Sequence, residues 1–134
     1  MNHALEIANL KARYCAASDM CTHDEPAARV IFDTLFTDDF TGDYGMVQFA
    51  NSAALADFMS QAIGGGSEWM YHMLHSPLIE IGGTEATGDW VVSALSKKRD
   101  DGQIQQILGR YSDTFRLTES GWKISRITFN RQEL

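Results

Sequence analysis

At 134 residues the chain is the length of a single domain, 1–134, and its net charge of −7 argues against a nucleic-acid or anionic-membrane surface. No stretch approaches the roughly 20 apolar residues of a membrane span. Met1 to Glu6 lacks the basic and apolar regions of a signal peptide, so the cytoplasm is the expected location. Lys97-Lys98-Arg99, the densest basic cluster, reads as a solvated turn. Cys15 and Cys21 are expected to be reduced. With His23 they do not match the usual zinc spacings, so no metal site is expected.

Residues 3–20 carry helical periodicity, with Ile7, Leu10, Tyr14 and Ala17 on one stripe and Glu6, Lys11 and Arg13 off or beside it. A polar loop follows. Pro26 suits the first turn of a second helix, whose apolar side is Ala27, Val30, Ile31 and Leu35. A short strand is expected around Phe40–Tyr44. Asn51-Ser52 caps a third helix with Leu55, Phe58, Met59 and Ile63 buried, and Gly64-Gly65-Gly66 ends it.

The period then shifts from 3.6 to 2. Residues 69–81 alternate loosely, with Tyr71, Met73, Ile79 and Ile81 on one face. Strands follow over 84–98, 103–117 and 122–129, separated by Gly82-Gly83, Asp100-Asp101-Gly102 and Thr118–Gly121. Three helices followed by an antiparallel meander make an α+β fold: a curved, mixed or antiparallel sheet forming a cone, with three N-terminal helices on its concave face. The mouth of such a cone is a natural ligand site.

Asp19 closes the first helix, where the helix dipole disfavours a carboxylate, so a partner is expected. His72 lies near the start of the first long strand. If the helix crosses the concave face the two converge, and a histidine oriented by an aspartate is a general base that needs no metal or nucleotide. His75, three residues on, falls on the opposite face. Phe58, Met59, Trp69 and Met73 are candidates to line an apolar cavity, or else plain core. Arg110 either points into the cone, to bind a carbonyl or anionic group, or joins Tyr111, Asp113 and Arg116 in cross-strand pairs on a solvent or subunit face.

Three segments carry a resemblance: Ile7-x2-Leu10-x3-Tyr14-x4-Asp19; His72-Met73-Leu74 with Leu78–Gly83; and Gly109–Phe115 followed by Gly121–Ile124. Together they resemble the SnoaL-like branch of the nuclear-transport-factor-2-like superfamily, over essentially the whole chain. Scytalone dehydratase, hexachlorocyclohexane dehydrochlorinase and bile acid 7α-dehydratase are the closest enzyme families in pattern. The resemblance implies an Asp19–His72 pair, and tyrosines at Tyr14 and Tyr44 that donate to a substrate oxygen. Five residues on an ideal helix turn by about 140°, so Tyr14 and Asp19 are expected to share a pocket only if the helix ends or distorts near Ser18. Gly109–Asp113 lacks the second histidine of scytalone dehydratase.

The expected function is a cofactor-independent lyase or isomerase acting on a small apolar cyclic or polycyclic molecule. The alternative is a non-catalytic ligand-binding or subunit-association module, including a role like that of a dioxygenase β-subunit. The resemblance also implies a homodimer or homotrimer joined through the outer sheet face.

Overall fold

The structure, a computed structural model, describes residues 2–134. Its elements run α1 (His3–Met20), α2 (Glu25–Phe32), β1 (Phe36–Asp43), β2 (Gln48–Phe49), α3 (Ser52–Met59), β3 (Ser67–Gly82), β4 (Glu85–Lys98), β5 (Ile104–Thr118) and β6 (Gly121–Gln132). The strands form one open sheet in the order β2-β1-β6-β5-β4-β3. It is antiparallel throughout except where β1 runs parallel to β6. This is the α+β cone expected from the sequence. The first strand begins at Phe36, four residues earlier than predicted.

α1 starts where the Asn2 side chain accepts the Leu5 N–H, satisfying one of the unpaired donors of the first turn. Its buried side holds Ile7, Leu10, Tyr14 and Ala17, as the periodicity predicts, but also Lys11, Cys15 and Ser18. Asp24 caps α2 by accepting the Ala27 N–H. α2 buries Ala28 and Phe32; of the predicted side, Ala27 and Ile31 are half-buried, with Ile31 against the core, Val30 faces solvent, and Leu35 is buried just beyond the helix end. Eight residues are two turns, too few for the spacing of apolar residues to fix which side faces inward. Asn51 caps α3 through the Ala54 N–H, and α3 runs on into one turn of π-helix, Ser60–Gly64.

The long strands alternate cleanly. Ala86, Gly88, Trp90, Val92, Ala94 and Ser96 of β4 are buried, as are Gly109, Tyr111, Asp113 and Phe115 of β5. On β3 the inner residues opposite β4 are Met70, His72 and Leu74, which pair with Ser96, Ala94 and Val92. His75 and Leu78 are three positions apart on β3, whereas their partners Val91 and Asp89 are two apart. The extra residue is a bulge at Ser76, whose φ of 51° is in the left-handed region. Pro77 follows it on an edge strand, where a missing N–H is tolerated. A one-residue bulge reverses the facing of everything beyond it. Ile79 therefore faces inward, opposite Gly88, while Tyr71 and Met73 face outward, opposite Leu95 and Ser93. The expectation that these four β3 residues share a face fails at that bulge.

Candidate active site

α1 lies across the inner face of the sheet and reaches β3 near its C-terminal end. There the Asp19 Oδ1 lies 2.7 Å from the His72 Nδ1. Both carboxylate oxygens also accept the His72 backbone N–H, each at 3.1 Å. An ionised carboxylate is acceptor-only, so Nδ1 carries the hydrogen and the lone pair sits on Nε2. The two side chains are 9% and 21% exposed for His72 and Asp19, so the pair is sheltered but not sealed from solvent. Asp19 thus has the partner that its misplaced position on the helix dipole called for.

Tyr14 is fully buried, and its hydroxyl is hydrogen-bonded to that of Tyr44, which follows β1. The Tyr111 ring stands edge-on to Tyr14 at 6.0 Å between centroids. Burial raises the pKa of all three phenols, well above the ordinary value for Tyr44 and Tyr111. On Tyr14 the Tyr44 hydrogen bond acts in the opposite direction but does not prevail. All three are therefore neutral phenols at neutral pH. α1 remains helical through Met20, so Tyr14 and Asp19 leave it about 140° apart. Dyad and tyrosines are two constellations on one helix, and no hydrogen bond joins them directly among the described residues.

The sequence pattern of the SnoaL-like domain matches residues 1–128. The chain belongs to the SnoaL-like family. Solved structures of similar fold include a nuclear-transport-factor-2-like superfamily protein from Salmonella enterica serovar Typhimurium (TM-score 0.85, 20% identity, covering 98% of this chain and 92% of that one). A proposed scytalone dehydratase from Novosphingobium aromaticivorans DSM 12444 superposes with a TM-score of 0.80 at 20% identity, over 95% of this chain and 82% of its own. A type-3 hexachlorocyclohexane dehydrochlorinase from Novosphingobium barchaimii LL02 does so with a TM-score of 0.80 at 15% identity, over 95% and 84%. At these identities the likeness is one of fold. No curated protein sequence matches the chain. Among the described residues, no helix is long and apolar enough to cross a membrane.

Within this SnoaL-like fold, several side chains expected at the pocket lie elsewhere. Arg110 is exposed on the outer face, because on β5 the odd-numbered neighbours Gly109 and Tyr111 take the inner one. Trp69 and Met73 are on the outer face of β3 beside Tyr71, opposite in facing to His72. Phe58 is on the solvent side of α3, partly covered by Phe49 at 5.2 Å between ring centroids. Met59 is core. Large side chains occupy the interior of the cone, with Tyr14, Phe40 and Phe115 among the largest fully buried groups. A surface cleft of about 510 Å³ lies at the other end of the long strands, lined by Ile81, Thr87, Phe115 and Arg116 among others. It holds no base oriented by an acid. We place the site at the dyad on chemistry, not on cleft size.

The sequence reading missed two inner groups. Asp113 and Lys11 meet in the core, with Oδ2 and Nζ 2.7 Å apart and both side chains fully buried. The signal was present: Asp113 shares the parity of Tyr111 and Phe115 on β5, and Lys11 follows Ile7 and precedes Cys15 at helical spacing. Burial pushes the Asp113 carboxyl up to about 6 against the opposing pull of Lys11.

Proposed function

We propose that the protein is a cytoplasmic, cofactor-independent lyase or isomerase that removes a proton from carbon in a small apolar cyclic or polycyclic substrate. The observation that carries this reading is the 2.7 Å contact between His72 Nδ1 and Asp19 at a part-exposed site. With Nδ1 committed to Asp19, Nε2 is the basic nitrogen and takes the proton. Asp19 holds the ring and balances the imidazolium charge as it forms. The carbanion is stabilised as an enolate, or collapses with loss of a leaving group. The Tyr14–Tyr44 pair, with one hydroxyl donating to the other, supplies one neutral donor to the developing or departing oxygen, the electrostatic part of catalysis. Membership of the SnoaL-like family and the fold shared with a proposed dehydratase and a dehydrochlorinase support this class of chemistry.

The large aromatic side chains buried inside the cone favour a second reading, a non-catalytic ligand-binding or subunit-association module. The outer face of β3 and β4, with Trp69, Tyr71, Met73, Val91 and Leu95, is the surface we propose for self-association as a dimer or trimer. One experiment separates the two readings. A panel of cyclic alcohols and enones is incubated with the protein in deuterium oxide, and exchange at carbon is followed by NMR. Exchange with the wild type that is lost in His72→Ala, with the fold kept, supports catalysis. Exchange that persists in the variant overturns the role of His72.

A further inference from the structure

Lys11 sits three residues before Tyr14, on the buried side of α1. Its ammonium reaches Asp113 of β5 at 2.7 Å, yet neither Nζ nor either carboxylate oxygen has a well-aligned hydrogen bond. The contact is ionic and fully buried. Nζ lies instead against two aromatic faces, 3.5 Å from the ring centroid of Tyr111 and 4.2 Å from that of Tyr14. Packing alone does not require this arrangement. A buried ion pair is expensive to desolvate, and apolar residues of similar volume often serve a fold as well or better. A fully buried ion pair therefore calls for an explanation, and here the rings touched by the cation belong to the phenols of the candidate site.

We propose that Lys11, anchored by Asp113, is a positioning residue for that site: its ammonium draws electron density from the Tyr111 and Tyr14 rings and makes their hydroxyls stronger donors to a substrate oxygen. The inference rests on the function proposed above. A cation over the face of a phenol is attracted by the ring quadrupole and polarises the ring. Asp113 lies two residues from Tyr111 along β5, roughly 6.6 Å at the rise of a strand. Its carboxylate opposes the ammonium and raises the pKa of all three phenols, while the ammonium is the charge in contact with the ring faces. Through the hydrogen bond between Tyr14 and Tyr44 the polarisation passes to the third hydroxyl. Neither Lys11 nor Asp113 touches the reacting atoms.

The test uses substituted phenols of rising acidity as probes, because their ionised oxygen mimics an enolate, with the matching methyl ethers as controls. In the double variant Lys11→Met/Asp113→Leu, affinity for the ionised phenols is expected to fall about tenfold while that for the ethers is unchanged. Lys11→Gln/Asp113→Asn removes the same charges with polar contact kept, and decides the matter if the apolar pair does not fold. Equal losses for phenols and ethers would show a purely structural role and overturn the inference. So would phenol affinity that does not change in either variant. If the wild type binds none of the phenols, the donor role of the tyrosines fails and the inference fails with it; the dyad is then tested separately by deuterium exchange.

Discussion

α1 makes two charged contacts with the sheet, eight residues apart, and they differ in almost every respect. Asp19–His72 is part-exposed, aligned and supported by two further hydrogen bonds to the His72 N–H. Lys11–Asp113 is fully buried, lacks aligned hydrogen bonds and is walled by two aromatic rings. The first can exchange protons with its surroundings, because it is not sealed from solvent. The second can influence a reaction only through the side chains it touches. Burial thus sorts two similar-looking pairs into one that acts directly and one that acts at a distance. It also sets opposite consequences for losing a partner.

The largest expected effect falls on turnover. His72→Ala removes a general base worth about 10²–10⁴ in rate, with the folded state retained, as read by exchange kinetics beside circular dichroism. Asp19→Asn lowers the rate by less, because the amide oxygen still accepts the His72 N–H while the charge balance is gone. At the buried pair the expected loss is in stability. Lys11→Met alone strands a carboxylate in the core and destabilises by about 3–5 kcal/mol in denaturant unfolding, whereas Lys11→Met/Asp113→Leu is close to neutral. A single variant no worse than the double would mean that the pair is hydrated, and the contrast between the two contacts would fail.

A smaller effect concerns pH. Burial raises the Asp113 carboxyl from 3.8 in the unfolded chain to about 6 in the folded protein. The folded state therefore prefers the protonated form. The favourable contribution of this group is fully present below pH 3.8 and is lost as pH rises through about 6, after which it is flat. Comparing wild type with Asp113→Asn isolates it. The stability advantage of the wild type over the variant declines between pH 4 and 6 and then levels. An advantage that grows over that interval would show that Lys11 outweighs burial and keeps the carboxylate ionised.

The cone and the meeting of Asp19 with His72 were legible because each rests on a long regular element. Eighteen residues of helix phase fix which way α1 faces, and the order of helices and hairpins fixes what it faces. What was not legible has local causes. The bulge at Ser76 reverses the facing of β3 partway along, and nothing in the flanking residue types counts the extra residue. α2 is too short for its apolar spacing to choose a side, so Val30 was assigned inward and lies outward. Residue type puts Lys11 off or beside the apolar stripe and Asp113 in cross-strand pairs on a solvent or subunit face, because charged residues are almost never fully buried unless paired. The partner of each lies 102 positions away on another element, beyond the reach of any local pattern.

The smallest expected effect bears on that same question of facing. Arg110 and Tyr111 are neighbours on β5, and pleating sends them to opposite sides of the sheet: the first is exposed, and the second lies in the core against Tyr14 and Lys11. From residue types alone Arg110 is the better anchor for a carbonyl or anionic group, and its side chain is long enough to curl round a sheet edge. β5, however, is flanked by β4 and β6 along its length. A guanidinium on its outer face has no edge to pass, so Arg110→Ala should leave exchange within about twofold of wild type, the range of surface substitutions away from special features. Tyr111→Phe keeps the ring under Lys11 and removes only the hydroxyl, and should slow exchange more than Arg110→Ala does. The reverse order would place the polar contact with substrate on the outer face of the sheet, and the dyad on the inner face would then have no substrate to act on.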